Sequence, residues 1–113
     1  VSTTFIEAEG CLREFLRAWQ EKKIETMLEH CQLTWRLRTK DPIGELNTLL
    51  EAVQVDSFEI GKLKAIGTIL LHGEVTINRN KSAMLHLIKE IAPYKTGESG
   101  IWGVNPKTAL RLI

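Results

Sequence analysis

Apolar positions near the start of the chain recur at three- and four-residue steps. Phe5, Ala8, Leu12, Phe15, Leu16 and Trp19 fall on one side, and Glu7, Glu9, Arg13, Glu14 and Arg17 on the other. This stripe predicts an amphipathic helix with one buried face over about residues 4–20. Thr4 and Glu7 have capping-box spacing, in which a hydroxyl and a carboxylate each accept a free backbone N–H of the first turn. The next apolar set, Ile24, Met27, Leu28, Cys31 and Trp35, begins about 140° out of phase with Trp19 at 100° per residue. A turn at residues 20–23 and a second helix over about 23–38 follow from the shift. Asp41 is placed to cap, Pro42 suits a first helical position, and Ile43, Leu46, Leu49, Leu50 and Val53 continue as a third stripe, over about 42–53.

From Val55 onward the period changes to two. Phe58 and Ile60 alternate; then Ile69, Leu71, Val75 and Ile77 share one face, and Thr68, His72, Glu74, Thr76 and Asn78 the other, as in a half-exposed strand. A three-residue loop at 79–81 would bring Ala83, Leu85 and Leu87 onto the face of Ile77, Val75 and Gly73, which predicts an antiparallel hairpin. Pro93 ends that strand, the segment TGESG turns the chain, and Ile101, Trp102 and Val104 form a last strand before Asn105 and Pro106. Three helices followed by about four antiparallel strands predict an α+β domain spanning 1–113, with the helices packed on a curved sheet.

Composition narrows the function classes. Fifteen Lys+Arg against fourteen Asp+Glu give a net charge of +1, so no nucleic-acid partner is expected. Arg36, Arg38 and Lys40 complement a helix C-terminus instead. No apolar run approaches the roughly 20 residues of a membrane span, and the opening VSTTFIEAEG lacks the features of a signal peptide, so a cytoplasmic location is expected. Cys11 and Cys31 form no CxxC pair and have no zinc-like spacing with the histidines, so neither metal nor cofactor is expected. Two buried free thiols suit a reducing compartment; a disulfide is also geometrically open, because a helical hairpin turning near Glu21 sets both cysteines at one height. The glycines at 97, 100 and 103 precede a strand and match no phosphate-binding loop.

The segments EFLRAWQEKKIETMLEHCQLTW, FEIGKLKAIGTILLHGEVTIN and GIWGVNP together resemble the nuclear-transport-factor-like, or cystatin-like, superfamily of α+β cones. In that family a Phe-Leu-x-Ala-Trp type of first helix precedes a short second helix and a curved sheet whose last strand carries a tryptophan. The resemblance implies a conical pocket between helices and sheet, and homodimers joined across exposed sheet faces. It covers isomerases, polyketide cyclases, epoxide hydrolases and dehydratases as well as non-catalytic binding and assembly modules. Neither an Asp base with a Tyr donor nor an Asp-Arg-Asp hydrolase set falls on matching positions here.

Within such a cone the candidate catalytic groups are His86 or Glu90 as base and Tyr94 as donor. Trp35, His86, Tyr94 and Trp102 are the candidate ligand-binding residues, with Tyr94 and Trp102 flanking the closing turn as an aromatic wall. Thr68, His72, Glu74 and Thr76 form the candidate dimer face. The absence of a placeable catalytic set points to a non-catalytic small-ligand-binding or protein-assembly module, homodimeric. The alternative is an isomerase, cyclase or dehydratase acting on a small hydrophobic ligand in the cone pocket.

Overall fold

The first stripe forms α1, Thr3–Glu21, in a computed structural model that describes residues 3–113 and the side chains from Phe5 onward. The capping role expected of Thr4 lies outside the described side chains. Ala8, Leu12, Phe15, Leu16 and Trp19 are all at most 1% exposed, as their spacing predicts.

The second predicted helix is two: α2, Ile24–Glu29, and α3, Leu33–Arg38. No Gly or Pro separates them. The break has a tertiary cause, because residues 30–32 leave the helical path to pair with the last strand. The Val104 N–H donates to the His30 carbonyl and the Gln32 N–H to the Val104 carbonyl, both at 2.9 Å. Cys31 and Val104 thereby form a parallel bridge. Arg36 closes the exposed end of α2, donating to the Cys31 and Glu29 carbonyls at 3.1 Å each. Helix α4, Pro42–Ala52, starts as predicted, with Asp41 Oδ1 accepting from the Gly44 N–H at 3.0 Å. Leu46 and Leu49 are buried, whereas Ile43, in the first turn, stands outside the core and is exposed.

The helices are followed by an antiparallel sheet of β1 Phe58–Ala65, β2 Leu70–Ile77, β3 Lys81–Ala92, β4 Lys95–Thr96 and β5 Ile101–Val104. The hairpin of β2 and β3 has the register that its alternation implies, with Val75 opposite Ala83, Gly73 opposite Leu85 and Leu71 opposite Leu87. Asn78 and Arg79 take left-handed conformations in its turn. Strand β1 pairs with β2 and carries a bulge between Ile60 and Leu63. Strands β4 and β5 both pair with β3, β5 along residues 87–90 and β4 at the far end. Thr68 and Ile69 belong to a bend ahead of β2, not to the strand.

A 3-10 helix, Pro106–Leu112, follows β5 and packs along β3 and α4. The sequence reading treats Asn105 and Pro106 as a stop. They are a start, since the Asn105 side chain accepts from the Lys107 N–H at 3.1 Å and proline occupies the first turn.

The buried apolar side chains form one cluster, in which Leu12, Phe15, Leu16, Trp19 and Met27 meet Leu71, Val75, Leu85, Leu87 and Trp102. Leu12 of α1 packs over Gly73, where a Cβ would stand 2.8 Å from Leu12 Cδ2. Among the described residues no helix is long and apolar enough to cross a membrane.

Gly103 admits the backbone of residues 30–32. A Cβ there would lie 2.6 Å from Gln32 Cα and 2.7 Å from its nitrogen, and neither atom belongs to a flexible side chain. Gly103→Ala is expected to lower the unfolding free energy in urea by about 1–3 kcal/mol, the usual cost of overpacking; an unchanged midpoint would show that the contact is slack.

Candidate functional site

The splitting of the second helix sets α3 against the sheet. Along β3, Leu87 and Lys89 face α1, while Ile88 and Glu90 alternate to the other side. There Glu90, 3% exposed, accepts from the Thr34 N–H through Oε1 at 3.1 Å and from the Thr34 hydroxyl through Oε2. The Thr34 oxygen accepts in turn from the Tyr94 N–H at 2.8 Å. A buried carboxylate is tolerated only when its lone pairs are satisfied, and α3 supplies the donors.

Beside this clamp, α3, α4, β3 and the start of the 3-10 helix enclose an open cleft of about 450 Å³. Trp35 and Ile88 are its apolar lining, and Arg38, Lys40, Lys107 and Glu45 its charged lining. A small recess continues from it, sharing Trp35, Glu45 and Lys107 and adding Leu49, Pro106 and Leu110. Among the described residues Arg38, Lys40 and Lys107 form no ion pair. Trp35 is 6% exposed, and its indole N–H is buried without an acceptor among the described residues.

Only one of the four expected ligand-binding residues, Trp35, lines this cleft. His86 lies on the outward side of the β2–β3 hairpin, stacked on His72 with ring centroids 4.0 Å apart and planes 7° apart. Burial, then His72, then Arg111 push its pKa below the ordinary imidazole value. Tyr94 is 66% exposed and takes a left-handed backbone at φ 63°. Trp102 pairs with Lys89 and so faces α1; the Lys89 ammonium lies 5.7 Å from its ring centroid and 3.9 Å from Glu7 Oε2. Trp102 and Ile88 thus take opposite sides of the sheet, and the four residues do not converge.

The three candidate catalytic groups are also apart. Glu90 is held by Thr34, His86 by the histidine stack, and the Tyr94 side chain projects from the surface. Of the candidate dimer face, His72, Glu74 and Thr76 share the outward side, with the Thr76 and Ser82 hydroxyls 2.8 Å apart. Thr68 lies off it, in the bend. Sequence reasoning missed Glu45 and Lys107 as site residues. The charges of WRLRTK were visible, but Lys107 reaches the cleft only through the 3-10 helix.

Both cysteines are free, and burial pushes each thiol to about 12 against the opposing influence of Arg36. Cys31 donates to the Met27 carbonyl at 3.2 Å and Cys11 to the Trp102 carbonyl at 3.4 Å. Among the described residues no group of three or more His, Cys, Asp or Glu side chains is arranged to hold a metal ion. No protein-family model, curated protein or solved structure matches the chain.

Glu90→Ala would leave the Thr34 donors without their acceptor. The unfolding free energy is expected to fall by about 1–3 kcal/mol in a urea titration; full retention of stability would mean that water replaces the carboxylate without loss.

Proposed function

We propose that the chain is a non-catalytic module that binds a small ligand with an anionic head and an apolar body in the cleft beside α3. The observation that carries this reading is the set of cations, Arg38, Lys40 and Lys107, around the Trp35 wall, which make no ion pair among the described residues. A guanidinium binds a carboxylate or phosphate through two parallel hydrogen bonds, and the ammonium groups add point charge. Trp35, Leu49, Pro106 and Leu110 offer the apolar body a surface in the recess. The cleft volume, about 450 Å³, falls within the roughly 300–1,000 Å³ of small-molecule sites.

The isomerase, cyclase or dehydratase alternative calls for a partly polar cavity beneath the helices. Phe15, Trp19, Leu85, Leu87 and Trp102 occupy that interior, which favours the cleft as the binding place. Likeness to the cone superfamily rests on element order and adds no chemistry to this reading.

An anilinonaphthalene sulfonate, an apolar body with one anionic group, is the first probe. Its fluorescence is expected to rise with the parent chain at low salt. Arg38→Ala and Lys107→Ala are each expected to weaken binding by roughly tenfold, the loss of one charge-assisted hydrogen bond. Equal binding by the parent and the double variant would remove the cleft as the site.

Pairing of two copies through the outward face of β1, β2 and β3 is a second reading. That face carries both signs, Glu59 opposite Thr76 and Lys64 opposite His72, with Glu74 on the same side. A twofold axis can set unlike charges against each other there. Sedimentation equilibrium is expected to give a dimer mass that Glu74→Lys shifts toward monomer; a monomer mass at the highest attainable concentration would end this reading.

A further inference from the structure

His72 and His86 are fourteen positions apart in the chain and are brought together by strand register, directly opposite one another on β2 and β3. Their rings lie nearly parallel with centroids 4.0 Å apart. Among the described residues neither ring makes a hydrogen bond to the rest of the chain. His30 differs, with Nδ1 on the Thr26 carbonyl at 2.9 Å. The pair is half-buried, and its backbone is fixed by an uninterrupted ladder from Leu70 opposite Ile88 to Ile77 opposite Lys81.

Unprotonated imidazole with an uncommitted ring nitrogen is a ligand for late first-row divalent ions. Two ring nitrogens each about 2.0–2.1 Å from one ion stand at most ~4.2 Å apart. The stacked rings hold their nitrogen lone pairs side by side in nearly parallel planes, so each ring turns about its side-chain torsions to aim a nitrogen at a shared ion, which residues directly opposed on adjacent strands allow. One rung further along, Glu74 opposes Met84 on the same face, a carboxylate and a thioether beside the pair. Lys64 across from His72, and Arg111 beside His86, oppose a dication, while burial, His72 and Arg111 all favour neutral imidazole at His86.

We propose that His72 and His86 form an open two-imidazole site for a divalent late transition ion, copper(II) binding more tightly than nickel(II) or zinc(II). Water or a ligand from solution completes the coordination. The order follows the intrinsic preference of nitrogen donors, since an open site imposes no geometry to override it. The thiols of half-buried Cys11 and buried Cys31 are pushed to about 12, so the thiolate that would bind a metal is disfavoured at each. This site is separate from the α3 cleft, so the two assignments stand or fall independently.

The test is calorimetric titration of the full chain with copper(II), nickel(II) and zinc(II) salts at about pH 7.5, where imidazole is unprotonated. It is paired with proton NMR of the histidine ring signals. One ion per chain is expected, or one per two chains if copies meet on this face, with copper(II) selectively broadening the His72 and His86 signals. His72→Ala and His86→Ala are each expected to weaken copper(II) binding by roughly tenfold or more. His30→Ala should bind as the parent does. If His86→Ala loses its folded circular dichroism, His86→Gln replaces it, and the broadening pattern of the parent decides in any case. Broadening centred on His30, undiminished affinity in either variant, or no binding by the parent would overturn the proposal.

Discussion

Val104 exchanges two backbone hydrogen bonds with residues 30 and 32, and the arrangement of the helical layer follows from that exchange. A helix running on through these residues would leave the outer edge of β5 with an unpaired N–H and carbonyl, at a cost that a few helical bonds do not offset. Breaking the helix satisfies both groups and covers a sheet edge. It also frees α3 to settle on the side of β3 away from α1, where Thr34 bonds Glu90 and Trp35 and Ile88 line one cleft. The cleft exists because the helix is broken. Gly103 permits the break, since it alone lets the two backbones approach so closely.

The elements that were legible in the sequence are those whose causes are local. The stripe of α1, the Asp41 and Pro42 start of α4, and the alternation of β2 and β3 each encode their structure within one or two turns or a single hairpin. The split at residues 30–32 was illegible because its cause lies on another strand, and the apolar spacing of Ile24 to Trp35 is compatible with an unbroken helix. Asn105 and Pro106 misled for a different reason: proline after a strand serves equally as a terminator or as the first residue of a helix, and only the capping bond decides.

The site was half legible on the same grounds. Trp35 was identifiable as a large aromatic in a helical stripe, but its neighbours come from α4, β3 and the 3-10 helix. Tyr94 and Trp102 flank one turn in the sequence, yet one is exposed and the other packs toward α1. Adjacent strand residues Lys89 and Glu90 are both buried, against the simple rule that one of two neighbours faces water. Lys89 lies over Trp102 while Glu90 is covered by α3, so β3 is a central strand with both faces covered at this end. The opposite sheet edge is guarded by different means: β1 carries a bulge and exposes Lys62 and Lys64, which discourages pairing with a further strand.

The dependence of residues 30–32 on Val104 orders events in time. A chain growing from its N-terminus has all of α1 to α4 available before Val104 is made, and in that interval nothing local stops residues 23–38 from continuing as the helix that their periodicity encodes. The final backbone at the break is reached only after a closure spanning most of the chain, the kind of non-local step that slows folding. The last strand therefore acts as a template that recasts part of the first third of the molecule. The Trp35 wall takes its place only once Val104 is available, so a chain cut short of Val104 presents a different surface.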